Sequence, residues 1–202
     1  PVMGLTDYQQ TQFFTGNSLF KKNWVIAPAS TTARDGLGPT FNAKSCSACH
    51  QNDGRATPPE VSNGTKALIS PLLRLSIPGK NKRGGPKADP HYGTQLNILA
   101  NPGVEPEAIS TLTWSEKSGQ FPDGTYYSLR EPTYTIKEWE YGAPDKNIMV
   151  SPRIGQQMAG LGLLEAIPTK AILNREDIHD QNGDGISGKA NQVWDNINQE
   201  TT

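Results

Sequence analysis

The chain has 202 residues, a length that suits one large domain or two small ones and is ample for a single core. Its formal net charge is −1 and it has no run of basic residues, which argues against a nucleic acid as partner. Only 34% of its residues are hydrophobic, and it has 20 Gly and 16 Pro, so we expect long loops and little regular structure. No apolar segment is long enough to predict a membrane span.

A helix is the first predicted element, over residues 6–20. Phe13, Phe14 and Leu19 give it an apolar face at helical spacing. A loop of small and polar residues follows and leads to the one part of the chain that contains cysteine.

The two cysteines lie three positions apart and are followed at once by a histidine: Cys46, Cys49 and His50. This is the spacing of covalent c-type haem attachment. One short turn presents both thiols to the two vinyl groups of the porphyrin, and the adjacent imidazole binds the iron. The motif therefore predicts one haem c per chain, thioether bonds at Cys46 and Cys49, and His50 as the proximal iron ligand.

Two other uses of such a cysteine pair stay open. A redox dithiol or a disulfide has the same spacing, but a dithiol site usually follows a strand and opens a long helix. Here the flanking residues are rich in Gly, Pro and Asn. Half of a zinc site is the other alternative, but the remaining histidines, His91 and His179, are isolated and no second ligand pair exists. Haem c is the favoured interpretation.

Two residues near the motif are candidates for contact with the macrocycle. Phe41 would pack on the ring, or would simply belong to the protein core. Arg55 would pair with a haem propionate, because a guanidinium binds a carboxylate through two hydrogen bonds, or would lie in a solvated loop. Thioether attachment also needs reduced cysteines and an export route. We therefore expect that a leader was removed or left out, and that the protein is periplasmic or otherwise exported.

The middle of the chain is predicted to be a loop-rich region with short strands. Apolar and polar residues alternate over residues 73–77, as in a strand. Residues 109–114 are a second candidate strand, and the pair Asp123-Gly124 is a hairpin-turn signal. His91 is a candidate distal iron ligand; a solvated loop histidine is the alternative.

Apolar residues recur at helical spacing between Pro152 and Pro168, which predicts a helix. Met158 lies on its apolar face and is a candidate sixth iron ligand, because a thioether sulfur binds haem iron; the alternative is a core methionine. Glu165 is a candidate acid–base group for the protons of peroxide, or a carboxylate exposed at the helix end. Gly155, Gly160 and Gly162 would let this helix approach another surface closely.

Side-chain oxygens recur at alternate positions in Asp180, Asn182 and Asp184, and the glycine that follows permits a sharp turn. This pattern matches the first half of a calcium loop, in which the carbonyl of Ile186 would be a further ligand. The twelfth position, where such loops have glutamate, holds Asn191, which lowers the charge and the expected affinity. A turn rich in Asx and Gly residues is the alternative.

These motifs are arranged in an order that resembles the N-terminal part of the bacterial di-haem oxidoreductases, sometimes mislabelled thiol oxidoreductases. The matching segments are residues 35–43, 46–50, 53–55, 72–76, 92–96, 129–134, 151–153, 160–168 and 183–191. That family is distantly similar to the di-haem cytochrome c peroxidases. The resemblance implies two mostly helical cytochrome c-like domains, each with one haem, and calcium often held between them. Since only one haem motif is present, we expect residues 1–202 to be a single c-type haem domain, the N-terminal part of a two-haem protein whose second domain is absent.

We therefore expect a mainly α, cytochrome c-like fold with long Gly- and Pro-rich loops and a few short strands. The expected function is that of a haem redox domain that transfers electrons or reacts with peroxide. Its expected partners are a C-terminal haem domain and an electron donor or acceptor protein. Two alternatives stay open: a pure electron-transfer cytochrome c domain without catalytic activity, and a calcium-stabilised binding domain without redox chemistry.

Overall fold

The structure, a computed structural model, describes residues 3–58, 65–66 and 71–201. It is mainly β, with 17% of residues in helices and 29% in strands, so the predicted mainly α fold is wrong. The two longest strands are 12-residue segments that contain several Thr, Tyr and Ile residues. Such β-branched and aromatic side chains favour the pleated backbone, while the many glycines and prolines keep helices short.

Three α-helices and ten strands lie within the described residues. The helices are α1 (Asp7–Lys21), α2 (Leu161–Glu165) and α3 (Thr169–Leu173). The strands are β1 (Thr40–Phe41), β2 (Thr65–Lys66), β3 (Leu72–Lys80), β4 (Pro86–Lys87), β5 (Leu99–Ala100), β6 (Ile109–Gln120), β7 (Tyr126–Lys137), β8 (Met149–Arg153), β9 (Trp194–Asp195) and β10 (Glu200–Thr201). They form two three-stranded antiparallel sheets, in the orders β4-β3-β8 and β2-β6-β7, and two small pairs, β1-β5 and β9-β10.

Helix α1 confirms the first predicted element. A capping box fixes its start: the Thr6 hydroxyl accepts a hydrogen bond from the Gln9 N–H, and the Gln9 side chain accepts one from the Thr6 N–H. Asp7 in the first turn and Lys21 in the last complement the helix dipole. No residue of α1 is buried, so its phenylalanines lie partly in water. Among the helices of the described residues, none has the length and apolar character to cross a membrane.

Strand β3 is the central strand of the first sheet and confirms the strand predicted over residues 73–77. Its alternating apolar side chains in that range are buried, as expected when every second side chain points to the same face of a sheet. β8 runs antiparallel to β3, with Leu72 opposite Arg153. This pairing determines where the chain leaves the sheet, and so helps to place residues 154–160.

Strands β6 and β7 form a hairpin in which all twelve residues of each strand are paired. It confirms the strand predicted over residues 109–114 and the turn predicted at Asp123-Gly124. The Asp123 carboxylate accepts the Thr125 N–H at 2.9 Å, and Gly124 has a φ of 89°, which glycine adopts without strain. The expected loop-rich character of this region is wrong, because the strands continue well beyond residue 114.

The helix predicted between Pro152 and Pro168 is wrong over most of its length. β8 continues to Arg153, residues 154–160 lie outside helices and strands, and α2 begins only after Gly160. Pairing with β3 holds the first part of this segment extended. Gly160 has a φ of 88°, a left-handed conformation that a right-handed helix does not include.

The hydrophobic core joins β3 to the loop that precedes β6. Its buried members are Leu73, Leu75, Tyr92, Leu96, Ile98 and Ala108. Tyr92 packs against Trp139, with ring centroids 4.6 Å apart, and its hydroxyl donates a hydrogen bond to the Gly142 carbonyl at 2.6 Å. The core therefore lies in the middle third of the chain.

Asp89 is a buried carboxylate beside this core, with only 2% of its surface exposed. It accepts backbone hydrogen bonds from His91 and Tyr92 at 2.9 Å and from Asp145 at 2.8 Å. Burial raises the pKa of Asp89, but the three N–H donors and the nearby His91 outweigh it, so the pKa lies below its ordinary value. The ionised carboxylate ties the start of the core loop to the segment before β8.

We predict that Asp89→Ala lowers the free energy of unfolding at pH 7 by about 1–3 kcal/mol, because it leaves the buried N–H of Tyr92 and the part-buried N–H groups of His91 and Asp145 without an acceptor. A lowered folded-state pKa stabilises the protein above the unfolded-state pKa of about 4, and this contribution is lost as the pH falls through the folded-state value. Urea unfolding should therefore show a smaller difference between Asp89→Ala and wild type at about pH 3 than at pH 7.

Asp123→Ala is the matched control, since Asp123 also accepts a backbone N–H but is fully exposed. Equal losses of stability in the two variants would contradict the role given to Asp89.

Candidate functional site

The cysteine motif forms one tight turn. Residues Cys46–Ala48 are a short 3-10 helix, in which the Cys46 carbonyl accepts hydrogen bonds from the N–H groups of Cys49 at 3.2 Å and His50 at 3.0 Å. Both thiols are free; Cys46 is exposed and Cys49 is half-buried. The spacing of the motif thus places both thiols and the imidazole on a single turn.

The end of α1 supports one side of this turn. The Ser47 hydroxyl donates to the Lys21 carbonyl at 3.3 Å, and the Trp24 N–H donates to the Lys44 carbonyl at 2.7 Å. The Phe20 ring lies 6.3 Å from the His50 ring, centroid to centroid. The C-terminal end of the predicted N-terminal helix therefore lies beside the motif.

A polar network holds the segment that leads into the motif. The buried Asn42 donates to the Leu96 carbonyl and to the Asn97 side chain, both at 2.9 Å. The Glu107 carboxylate accepts hydrogen bonds from the Thr40 hydroxyl at 3.0 Å, the Asn97 N–H at 2.7 Å and the Asn97 side-chain amide at 2.9 Å. Together with the β1-β5 pairing, these bonds fix the lead-in segment to the core loop.

The orientation of His50 is set by a hydrogen bond to a distant part of the chain. Its Nδ1 lies 2.7 Å from the carbonyl oxygen of Gln156. Because a carbonyl only accepts, Nδ1 carries the proton, and in the neutral ring the Nε2 lone pair remains for a metal. The imidazole is thus in the tautomer that a proximal iron ligand requires.

Backbone hydrogen bonds hold the chain after β8 next to the motif. The Ala56 N–H donates to the Gly155 carbonyl at 2.9 Å, and the Asp53 carbonyl accepts the N–H groups of Met158 at 2.8 Å and Ala159 at 3.2 Å. Four hydrogen bonds, counting that of His50, therefore join the motif and the loop after it to residues 155–159.

The environment of Cys49 bears on the dithiol alternative. Burial and, next, the neighbouring Cys46 raise the pKa of the Cys49 thiol. A raised pKa keeps the thiol protonated at neutral pH, whereas a reactive dithiol has a lowered one. Cys49 itself therefore lacks the lowered pKa of a reactive thiolate.

The residues present fit a covalently attached haem. Both thiols lie on the turn that carries His50, and the His50 tautomer leaves Nε2 for the iron. In the described ranges no group of three or more His, Cys, Asp and Glu side chains is arranged to hold a metal ion.

Arg55 and Met158 lie in two segments that adjoin this turn. Arg55 is exposed and lines a cavity of about 280 Å³ with residues on both sides of Gly160. Met158 is half-buried, and its backbone bond to Asp53 ties it to the segment that follows His50. Their roles as propionate partner and as sixth ligand stay predictions.

The other predicted residues lie elsewhere. Phe41 is buried in β1, opposite Leu99 of β5, with the Lys44 ammonium 5.9 Å from its ring centroid. Glu165 is exposed at the end of α2, and His91 is exposed beside the core. Their contacts with a haem also stay predictions.

The predicted calcium loop is an exposed turn that its own side chains close. Asp184 accepts the N–H of Ile186 at 2.8 Å, Asn182 accepts the N–H of Asp184 at 2.9 Å, and Asp180 accepts the N–H of Gly185 at 3.1 Å. Bonds of this kind are typical of Asx-rich turns. Calcium binding at Asp180, Asn182, Asp184 and Ile186 stays a prediction.

Sequence reasoning missed most of the residues that position the site. Gln156 acts through its backbone carbonyl, which every residue has, so no side-chain signal identifies it. The predicted close approach of Gly155, Gly160 and Gly162 assumed a helix, whereas Gly155 lies in an irregular segment and approaches His50, which follows only from the fold. Asn42 and Glu107 are ordinary polar residues whose partners lie far away in the sequence.

We predict that Glu107→Ala loosens the segment that leads into the cysteine motif, because the hydroxyl of Thr40 and two N–H donors of Asn97 lose their acceptor. Amide hydrogen exchange over residues 37–50 should become faster, and the free energy of unfolding should fall by on the order of 1 kcal/mol. Glu105→Ala, at an exposed carboxylate two residues away, is the control. Unchanged exchange in Glu107→Ala would refute the role of this network.

Comparison with known proteins gives a family match. The family model described as "Di-haem oxidoreductase, putative peroxidase" matches residues 1–96 and 112–202. No curated protein and no solved structure matches the chain. Because the family model covers nearly the whole chain and includes the cysteine motif, the chain belongs to the di-haem oxidoreductase family.

Proposed function

We propose that this chain binds one haem covalently, through thioether bonds at Cys46 and Cys49, with His50 Nε2 as the proximal iron ligand. The observation that carries the proposal is the 2.7 Å contact between His50 Nδ1 and the Gln156 carbonyl, next to two free thiols on the same turn. The bond sets the tautomer in which Nε2 is the metal donor. Family membership supports a haem oxidoreductase role.

Haem iron, when bound, supplies one-electron redox chemistry and, with an open sixth position, reactivity toward peroxide. The chain contributes the tether, the axial nitrogen and the orientation of that nitrogen. Hydrogen bonding of Nδ1–H to a carbonyl makes the imidazole a stronger donor, which favours the oxidised iron. The thioethers would keep the macrocycle on the turn throughout the redox cycle.

Reaction with peroxide is the activity that we propose, with electron transfer alone as the alternative. The Met158 N–H is bonded to the Asp53 carbonyl, in the segment that follows His50. We propose that this bond keeps Met158 from serving as the sixth ligand. The position for peroxide would then stay open, with Glu165 as the proposed acid–base group.

The proposed setting is an exported, periplasmic protein that works with a second haem domain and with an electron donor or acceptor protein. Cys46 and Cys49 are the only cysteines, so two thioethers serve one haem in this chain and the second haem of the family would belong to another domain. Several large apolar side chains after β8 are exposed, among them Leu163 at 78% and Ile197 at 91%. Such surface supports burial against a further partner. Calcium in the loop after residue 179 would be a second, structural cofactor.

We predict that wild-type protein exported from a host with haem-attachment machinery carries one covalent haem. Intact mass and haem staining after denaturing electrophoresis should show it. Cys46→Ser and Cys49→Ser should each remove one thioether, and the double variant should lose all covalent haem.

His179→Ala should retain the haem, since His179 lies outside the motif. Wild-type protein without covalent haem, or a double cysteine variant that retains it, would overturn the proposal.

We predict that the haem-loaded chain has a high-spin visible spectrum, reacts with hydrogen peroxide, and keeps both properties in Met158→Leu. The reason is that the Met158 backbone is fixed beside Asp53. Met149→Leu, at an exposed methionine of β8, is the control. A low-spin wild-type spectrum that becomes high-spin only in Met158→Leu would instead establish the electron-transfer alternative.

A further inference from the structure

Gly155 is the point where the chain after β8 comes closest to the His50 ring. A Cβ atom at this position would lie 2.9 Å from His50 Cε1 and 3.3 Å from His50 Nε2. Real Cβ contacts are essentially never shorter than 3.0 Å, so an added methyl group and the ring cannot both keep their places. The Ala56 Cβ, at 3.4 Å, lines the same space.

The backbone conformation does not by itself require glycine here. Unlike Gly160, Gly155 does not have a positive φ angle. An alanine at position 155 would therefore have no backbone strain. The need for glycine comes from the imidazole alone. This separates Gly155 from the turn glycines of the chain, which are explained by their φ angles.

The next residue, Gln156, supplies the carbonyl that accepts the His50 Nδ1–H. The backbone bonds of Gly155 to Ala56 and of Met158 to Asp53 hold this carbonyl in place from both sides. Because residue 155 has no side chain, the His50 ring can come close enough for the 2.7 Å bond to the Gln156 carbonyl. The neighbouring backbone bonds keep that carbonyl in position.

We propose that residues 155–156 are a positioning element for the proximal ligand: the missing side chain of Gly155 admits the His50 ring, and the Gln156 carbonyl fixes its tautomer and strengthens its donation to the iron. This inference rests on the proposed haem ligation by His50. It implies that a backbone carbonyl more than 100 residues away from His50 in the sequence influences the reduction potential of the iron.

The test uses the haem-loaded chain. Gly155→Ala should keep covalent haem, because the thioether bonds are made by Cys46 and Cys49, but should push the His50 ring away from the Gln156 carbonyl. Loss of a partner of this kind typically changes metal affinity 10–100-fold. We expect the preference for ferric iron to fall at least tenfold, which raises the midpoint potential by about 59 mV for a one-electron couple. The iron–histidine stretching frequency in the resonance Raman spectrum should fall.

Two controls separate this effect from general damage. Gly162→Ala adds the same methyl group in α2, where it would meet no atom within 4 Å, and should leave the potential unchanged. Gly188→Ala, where the added methyl group would also meet no atom within 4 Å, should likewise leave the potential unchanged.

The outcomes distinguish the two proposals. Wild-type chain without covalent haem would refute the proposed function. Wild-type chain with haem, but with the same potential and stretching frequency in Gly155→Ala, would refute the positioning role alone.

If Gly155→Ala does not accumulate, the double variant His50→Ala/Gly155→Ala decides. Accumulation at the level of His50→Ala shows that the clash is with the ring. A double variant as scarce as Gly155→Ala places the clash elsewhere and overturns the inference.

Discussion

The hydrogen bond between His50 Nδ1 and the Gln156 carbonyl is the interaction on which the candidate site depends. It joins two segments 106 positions apart, and a charge-neutral bond of this type has a net worth of only about 1 kcal/mol. Its importance lies in direction rather than in strength. It decides which ring nitrogen carries the proton and where the other one points, and both properties determine what the imidazole can bind.

Two separate parts of the fold have to be in place for that bond to form. On one side, the antiparallel pairing of β8 with β3 fixes the point where the chain turns toward the motif. On the other side, the end of α1 and the bonds of Asn42 and Glu107 hold the turn with the cysteines. The core between them is built from β3 and the loop before β6, so packing in the middle of the chain positions residues from both ends.

The support from Glu107 and Asn97 has a further implication. The family match leaves out residues 97–111, yet this stretch contains two of the groups that hold the lead-in segment. The matched part of the chain supplies the motif and the residues beside it, while part of the structure that holds them lies in the unmatched stretch. Several Leu and Ile side chains after β8 are exposed.

Sequence alone predicted covalent haem attachment at the motif, because such attachment needs a fixed and local spacing, and the family match confirms the haem oxidoreductase family. The sequence also identified α1, the strand at residues 73–77 and the turn at Asp123-Gly124, whose signals lie within a few residues of the elements themselves. It failed for the fold class and for the helix between Pro152 and Pro168. The fold class was expected from a family resemblance, and the helix from apolar residues at helical spacing. In both cases strand pairing between distant segments determines the backbone conformation.

Only the tertiary structure decided how the motif is held. The partner of His50 is a backbone carbonyl, which has no signature in the sequence, and the need for glycine at position 155 comes from a ring more than 100 residues away. A local pattern can state which atoms are available for chemistry. Which of them point at one another depends on contacts between segments that the sequence separates, and these form only when the sheets and the core bring the segments together.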